Sequence, residues 1–327
     1  MKSRELATHI YTADPSAHVF NDILYVYPSH DRDIDVAYSD EGDEYLMEDY
    51  HVLSMESPDA PVTDHGIALH IDNVKWASKQ MWAPDAHEKN GTYYFYFPAR
   101  DHDGIFRIGV AVSDTPYGPF TPQDDYIKGS FSIDPCVFKD DDGSYYMGFG
   151  GLWGGQLEKW STGTFVENTE GPQGNQAALC AKIAKLSDDM LQFDGDIRDI
   201  QLLDGDGKPV KAGDEEKRYF EGPWIHKYNG TYYFSYSTGT THLIAYATAD
   251  NVLGPYTYRG TILTPVSGWT THHSIVEFQG RWFLFYHDCE RSGGINNKRS
   301  VKMTEITYND DGTIQTLVPD ESLIGKR

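Results

Sequence analysis

Glu221 is the residue whose surroundings most directly suggest chemistry. It lies in the segment YFEGPW (219–224), between aromatic side chains and directly before Gly-Pro. Partial removal of water from a carboxylate disfavours its charged form and raises its pKa, as a general acid near neutral pH requires. A surface glutamate in a turn is the alternative, and Glu221 alone does not decide between the two.

Acidic residues recur in similar surroundings elsewhere in the chain. Asp14 and Asp134 each stand directly before a proline, and Asp85 directly follows one. Asp-Pro is also ordinary turn chemistry, which explains one instance easily and several aligned instances poorly. A set of carboxylates suits hydrolysis at an acetal carbon, where one group takes a proton from water and another protonates the leaving oxygen.

Five hairpins of one plan would position these carboxylates. Each is a short strand, a two-residue turn and an aromatic-rich strand, and the turns fall at positions 21–22, 90–91, 142–143, 229–230 and 279–280. Asn-Gly and Asp-Gly between apolar runs favour hairpins, because both turn residues adopt positive φ. The turn glycines recur every 50 to 52 residues within each pair, Gly91 to Gly143 and Gly230 to Gly280. This repeat predicts an all-β, five-bladed β-propeller that forms a single domain over residues 1–327.

The distance from Gly143 to Gly230 is longer, at 87 residues. It predicts an insertion at about residues 151–218 in the third blade. The prolines indicate where the carboxylates lie, since proline cannot donate to a strand ladder and belongs on an edge strand or at a strand's first residue. The innermost strand of a propeller blade is such an edge. All five inner strands begin at one end of the axial channel, so Asp14, Asp134 and Glu221 are expected to converge there.

Composition excludes several classes of partner. The net charge of -23 and the pI of about 4.8 argue against nucleic acid and anionic membrane surfaces. No apolar run approaches the roughly 20 residues of a membrane span. Three cysteines are too few and too scattered for a disulfide framework or a zinc site. The first residues show no apolar signal segment, so we expect a cytoplasmic location, with a secreted protein whose signal segment has been removed as the alternative.

Five short motifs together resemble glycoside hydrolase family 43. They are ADPS (13–16), WAPD (82–85), IDP (133–135), EGP (221–223) and HHS (272–274). The resemblance covers nearly the whole chain, with the motifs in the expected order. It implies a five-bladed propeller that cleaves arabinose- and xylose-containing glycans with inversion of configuration. It also implies that Asp14 is the general base, that Glu221 is the general acid, and that Asp134 orients Glu221 and tunes its pKa.

Aromatic side chains at the same mouth are candidates for stacking on sugars. We expect this role for Trp82 and Phe20, and also consider Trp153 and Trp224. Packing in a blade core is the alternative for each, since large apolar side chains dominate cores.

The resemblance also implies roles for one arginine and one histidine. It implies that Arg299 reaches the sugar or the catalytic carboxylates, with ordinary salt bridging as the alternative. It implies that His273 helps to hold a structural calcium whose shell water completes, although calcium prefers oxygen ligands. A histidine hydrogen-bonded in the channel wall is the alternative. No cofactor is expected to be required for the reaction.

The expected function is an inverting exo-glycoside hydrolase that releases arabinose or xylose from arabinoxylan- or arabinan-type oligosaccharides. An endo-acting arabinanase or xylanase is the alternative within the class. A fructan hydrolase is disfavoured, because such enzymes carry Asn-Asp-Pro-Asn and Arg-Asp-Pro where this chain has ADPS and IDP. A non-catalytic glycan-binding propeller is the alternative from another class, but it has no need of three aligned carboxylates.

Overall fold

The predicted five-bladed propeller is confirmed. The computed structural model describes residues 2–39 and 41–319, and its strands form five separate sheets that follow one another along the chain. Within each sheet the main strands are antiparallel neighbours in sequence order. The innermost strands begin at the end of the propeller where the motifs lie.

The first three blades occupy the N-terminal part of the chain. After β1 (Arg4–Glu5), the first blade contains β2 (Tyr11–Phe20), β3 (Ile23–Asp31), β4 (Asp49–Met55) and β5 (Thr63–His70). The second contains β6 (Ala77–Lys79), β7 (Asp85–Lys89), β8 (Thr92–Asp101), β9 (Phe106–Ser113) and β10 (Thr121–Pro122). The third contains β11 (Cys136–Lys139), β12 (Tyr145–Phe149), β13 (Lys182–Lys185) and β14 (Arg198–Asp199).

The last two blades complete the ring. The fourth contains β15 (Leu202–Leu203), β16 (Glu221–Tyr228), β17 (Thr231–Ser237), β18 (Ile244–Ala249) and β19 (Tyr256–Leu263), with β15 parallel to β19. The fifth contains β20 (His273–Phe278), β21 (Arg281–Asp288) and β22 (Ser300–Ile306). β1 pairs with β22, so the N-terminal strand closes the fifth blade.

Helix is confined to three short 3-10 turns in the described residues, at Ile71–Asn73, Trp153–Gly155 and Glu158–Trp160. No helix in that part of the chain is long and apolar enough to cross a membrane. The inner hairpins have the predicted turn geometry. Asn90 and Asn229 adopt φ of 54° and 48°, and each is followed by a glycine with positive φ.

The predicted insertion at 151–218 is only partly an insertion. The range contains β13 and β14, which are ordinary outer strands of the third blade, and β15, which joins the fourth. The additional chain lies in two loops, 150–181 and 204–220. Spacing between turn glycines could not separate these parts, because the outer strands are only two to four residues long and have no hairpin turn of the inner type.

Side-chain hydrogen bonds tie neighbouring inner strands together below the mouth. Ser16 Oγ donates to the carbonyl of Pro84 at 2.7 Å, and Asp85 accepts from the backbone N–H of Val137 at 2.5 Å. Ser274 Oγ accepts from the backbone N–H of Ala17 at 3.1 Å. Asp85 is fully buried and makes a structural link between blades. These bonds fix the relative heights of the inner strands, and so of the carboxylates above them.

Candidate active site

The inner strands leave regular pairing at the level where the carboxylates lie. Pairing of β2 with β3 skips Asp14 and Pro15, and pairing of β16 with β17 skips Gly222 and Pro223. Asp14 and Asp134 adopt φ of 48° and 58°. Positive φ is uncommon for residues other than glycine, and β-bulges beside active sites re-aim side chains. The proline motifs therefore turn these carboxylates out of the ladder.

One cavity at the mouth of the propeller receives all three carboxylates, Asp14, Asp134 and Glu221. Three of the five predicted substrate-binding residues also line it: Trp82, Trp153 and Arg299. The wall further includes residues that the sequence did not single out for this role, namely Tyr38, Tyr45, Leu152, Phe220, Trp269, Thr270 and His272. The composition of the lining is that of a small-molecule site, largely apolar with a few convergent polar groups.

Asp14 is buried and held ionised by its partners. Its carboxylate accepts from Ser29 Oγ at 2.6 Å and from Arg299 Nη1 at 3.1 Å. Burial by itself raises the pKa of Asp14, but the charge of Arg299, helped by His287, His272 and the Ser29 hydroxyl, outweighs it and lowers the pKa to about 2. Asp14 is therefore a carboxylate throughout the neutral range.

Arg299 is fixed by a carboxylate that the sequence analysis did not find. Asp31 accepts from Arg299 Nε at 2.8 Å and from Nη2 at 2.7 Å, and also from the Arg299 backbone N–H at 2.9 Å. Arg299 Nη1 remains for Asp14 and for Thr270 Oγ1, each at 3.1 Å. The guanidinium lies over the ring of Tyr45, 4.7 Å from its centroid. This bidentate pair orients the cation toward Asp14.

Glu221 has the opposite electrostatic setting. Burial, followed by the negative charge of Asp14, raises the pKa of Glu221 to about 8, while Arg299 opposes the rise. No side chain in the described part of the chain donates a hydrogen bond to the Glu221 carboxyl. With this raised pKa the Glu221 carboxyl is protonated at neutral pH, and it lines the cavity.

Asp134 lies next to the backbone of Glu221 and interacts with the charge of its side chain. Its Oδ2 accepts from the backbone N–H of Gly222 at 2.9 Å, directly after Glu221 in the chain. Burial, then the charges of Glu221 and Asp14, raise the pKa of Asp134. His272 Nε2 lies 3.9 Å from Asp134 Oδ2, and neither ring nitrogen of His272 has a hydrogen-bond partner among the described residues.

The loop after β12 carries Trp153 into the cavity. Trp153 has a φ of 54°, unusual for so bulky a residue, and its ring packs against Phe220 and Trp269 at centroid distances of 5.1 and 5.7 Å. Close packing of the loop requires glycine: a Cβ on Gly151 would lie 2.6 Å from the Cδ1 of Ile133. Trp153 is 42% exposed, so much of its ring is open to a ligand.

Two predicted stacking residues, Phe20 and Trp224, are not in the cavity. Phe20 is the last residue of β2, six residues beyond Asp14, so it lies about 20 Å down the strand. There it packs edge-on against Tyr93 in the core of the first two blades. Trp224 is buried, and its Nε1 donates to the carbonyl of Ile275 at 2.9 Å. For both residues the core-packing alternative holds.

His273 is fully buried at the start of β20. Its Nε2 is 2.6 Å from Ser235 Oγ, and its Nδ1 has no hydrogen-bond partner among the described residues. The neighbouring His272, not His273, lines the catalytic cavity. One imidazole nitrogen of His273 is thus available to an ion or a water molecule.

Comparison with known proteins places this site in a family. Residues 63–314 match the model of glycosyl hydrolases family 43, a range that includes Asp134 and Glu221 but not Asp14. Xylosidase/arabinosidase 43A of Humicola insolens is 59% identical over 96% of this chain and 99% of its own length, a match that extends well beyond the family model.

Solved structures agree in fold and in sequence. A β-xylosidase/α-arabinofuranosidase from a compost microbial metagenome, in complex with xylotriose and in calcium-free form, superposes with a TM-score of 0.95 at 58% identity over 97% of each chain. A Xanthomonas citri enzyme complexed with xylotriose superposes with a TM-score of 0.94 at 49% identity over 99% of this chain and 96% of its own. This chain belongs to glycosyl hydrolases family 43 and is a glycoside hydrolase of the xylosidase/arabinosidase type.

Proposed function

We propose that this enzyme is an inverting exo-hydrolase that releases arabinose or xylose from arabinoxylan- or arabinan-type oligosaccharides. It would act as an α-L-arabinofuranosidase, a β-D-xylosidase or both. The observation that carries the proposal is a single cavity in which one carboxyl group is held ionised and another is held protonated. Environments that push two pKa values apart assign the acid and the base.

In this mechanism Glu221 donates its proton to the glycosidic oxygen as the bond from that oxygen to the anomeric carbon breaks. A water molecule attacks the opposite face of the sugar, and Asp14 takes its proton as the new carbon–oxygen bond forms. Inversion requires the two carboxyl groups to stand about 6.5–9.5 Å apart, which leaves room for that water. Proton exchange with solvent restores the starting state of both groups.

Asp134 and Arg299 help to keep Glu221 protonated and Asp14 ionised. Asp134 holds the backbone next to Glu221 through Gly222, and any negative charge on Asp134 further disfavours ionisation of Glu221 because the repulsion is mutual. Arg299 acts in the other direction on Asp14, whose carboxylate it stabilises. We assign Asp134 and Arg299 as positioning and charge-tuning residues.

The shape of the cavity supports action at chain ends. Its walls come from separate segments: the loop between β3 and β4 with Tyr38 and Tyr45, the loop with Trp153, and Trp269 before β20. A cavity walled by several separate segments suits a terminal sugar, whereas an internal bond of a polymer needs a groove open at both ends. The xylosidase and arabinosidase names of the relatives point the same way.

The test is hydrolysis of aryl α-L-arabinofuranoside and aryl β-D-xyloside by wild type and Asp14→Ala, with the first-formed anomer of the released sugar followed by NMR. We expect turnover of at least one substrate, release of the inverted anomer, and a loss of about 10²–10⁴-fold or more in Asp14→Ala. Release of the retained anomer would refute the assigned roles. Turnover of neither substrate would refute exo action and favour an endo-acting or a glycan-binding protein.

Products from a long xylo- or arabino-oligosaccharide separate exo from endo action. We expect the monosaccharide to accumulate from the first time point while the oligosaccharide shortens by one unit at a time. Early appearance of internal fragments would instead indicate an endo-acting arabinanase or xylanase.

We also propose that His273 ligates one structural calcium through Nδ1. Calcium prefers oxygen, so water must complete the shell and the ion would bind weakly. The buried Nδ1 without a partner in the described chain fits this role, and the ion would supply structural positive charge only. We expect calcium to raise the Tm of wild type but not of His273→Gln; an equal rise in both would refute the assignment.

A further inference from the structure

A second group of metal-ligating side chains lies on the first blade. His30 in β3 follows Ser29, which is paired with Tyr50 in β4, so His30 lies opposite Asp49, and their side chains are in contact. His51 follows Asp49 by two residues on the same strand. Side chains two residues apart on a strand share one face of the sheet, as do directly opposed side chains of neighbouring strands. Pairing of β3 with β4 thus gathers His30, Asp49 and His51 on one face.

The distances between these groups are short. One ligand atom from each of the three residues lies within 4.8 Å of the others, and no other such group of three occurs among the described residues. The rings of His30 and His51 meet edge to face at 4.7 Å. The side chains of His30, His51 and Asp49 are 22%, 12% and 15% exposed, so the cluster is half-buried yet open to an ion from solvent.

Further groups support the cluster from outside. Asp64 in β5 accepts from His51 Nδ1 at 2.9 Å, and its other oxygen lies 2.7 Å from His9 Nε2. A carboxylate bound to one ring nitrogen fixes the tautomer of a histidine and makes the other nitrogen a better metal ligand. Asp64 stands in that relation to His51.

We propose that His30, Asp49 and His51 form a binding site for a divalent transition metal, with zinc as its best-suited occupant. Two imidazoles and one carboxylate are ligands that zinc accepts, whereas calcium prefers oxygen alone. None of the three residues lines the catalytic cavity. The bound ion would cross-link β3 and β4, and through Asp64 would fix β5 and the segment at His9 that leads into β2.

The alternative explanation of these contacts is two separate ion pairs with no metal. His30 Nδ1 lies 2.5 Å from Asp49 Oδ1, and His51 is paired with Asp64. Ion pairs alone need no metal. A metal site instead requires each imidazole to coordinate the ion through an unprotonated ring nitrogen.

The experiment is equilibrium dialysis of the full chain against Zn²⁺ with calcium in excess, with bound zinc measured per chain. We expect His51→Gln to bind one zinc fewer than wild type. Asp64→Asn should weaken the site about 10–100-fold, as loss of an outer partner does. His65→Gln is the matched control, because His65 lies on β5 in the same blade and bonds Ser54 outside the cluster. It should bind zinc as wild type does.

Co²⁺ gives an independent readout, since its visible absorption reports nitrogen and oxygen ligation. We expect a band that is present in wild type and His65→Gln and reduced in Asp49→Asn and His51→Gln. Equal zinc stoichiometry and equal Co²⁺ spectra in wild type and His51→Gln would overturn the proposal and leave the two ion pairs as the account. Circular dichroism of each variant confirms that the propeller is folded.

Discussion

Removal of Arg299 should move the pH profile of the enzyme rather than only lower its activity. Arg299 is the largest of the influences that lower the pKa of Asp14, against a burial effect that raises it. The other cationic candidate in contact is His287, whose pKa burial lowers to about 4, so it carries little charge above that pH. In Arg299→Gln the burial effect prevails, and Asp14 becomes harder to ionise.

The size of the shift follows from these values. The pKa of Asp14 is about 2 in the folded protein against an ordinary value of 3.8. Loss of Arg299 should raise the pKa of Asp14 from there toward its ordinary value, a change worth up to roughly 2.4 kcal/mol. Arg299 also lowers the pKa of Glu221, so that value should rise from about 8 in the variant. Both limbs of the profile therefore move to higher pH.

The assay is kcat/KM for the preferred aryl glycoside between about pH 3 and 9, which reports the free enzyme's acid and base. Arg299→Gln leaves the buried Asp31 carboxylate unpaired, which costs about 3–5 kcal/mol of stability. The double variant Asp31→Asn/Arg299→Gln removes that charge and serves as the folded control. In wild type the acid limb lies near pH 2, below this range, and we expect it to move into the range in the double variant. No fall in kcat/KM at the acid end in the double variant would refute the view that Arg299 holds Asp14 ionised.

Three further predictions follow from single contacts. Glu221→Gln should slow hydrolysis of xylobiose or arabinobiose by about 10²–10⁴-fold, but should slow an aryl glycoside less, because a good leaving group departs without a proton; equal losses on both would contradict its role as acid. Trp153→Ala should raise KM with little change in kcat, because the exposed ring lines the cavity but makes no hydrogen bond to the carboxylates. A fall in kcat at unchanged KM would argue against a binding role. Gly151→Ala should lower the free energy of unfolding in urea by about 1–3 kcal/mol, because its Cβ would meet Ile133. Gly205→Ala, whose Cβ meets nothing within 4 Å, is the control, and an equal loss there would disprove the packing argument.

Local signals in the sequence were sufficient for the blades and for the three carboxylates. Turn pairs such as Asn90-Gly91 specify positive φ, and a proline beside an acid marks a strand that leaves its ladder. Both signals act within a few residues, so they can be read without knowing the fold. That is why Asp14, Asp134 and Glu221 could be assigned to one mouth from their sequence neighbours alone.

Partners that act across blades could not be found in this way. Asp31 meets Arg299 from 268 residues away, and nothing beside Asp31 in the sequence distinguishes it from other acids on strand ends. The predicted stacking roles of Phe20 and Trp224 were wrong for a related reason. Phe20 and Phe220 look alike as single letters, but one ends a ten-residue strand at the far side of the propeller and the other immediately precedes Glu221 at the mouth. Position along the inner strand decides whether an aromatic side chain reaches the cavity. That position is known only once the register of strand pairing is known.

The closure of the ring by β1 has a consequence for how the enzyme is made. Asp14 leaves the ribosome early, but the guanidinium that holds it ionised lies 285 residues later, and β1 waits for β22 over nearly the same length. At about 5–20 residues per second, that interval is roughly a quarter of a minute to a minute. Until then the nascent chain has blades but lacks the cation that holds Asp14 ionised. A polypeptide that stops anywhere before Arg299 therefore lacks both the seam of the propeller and the partner of Asp14.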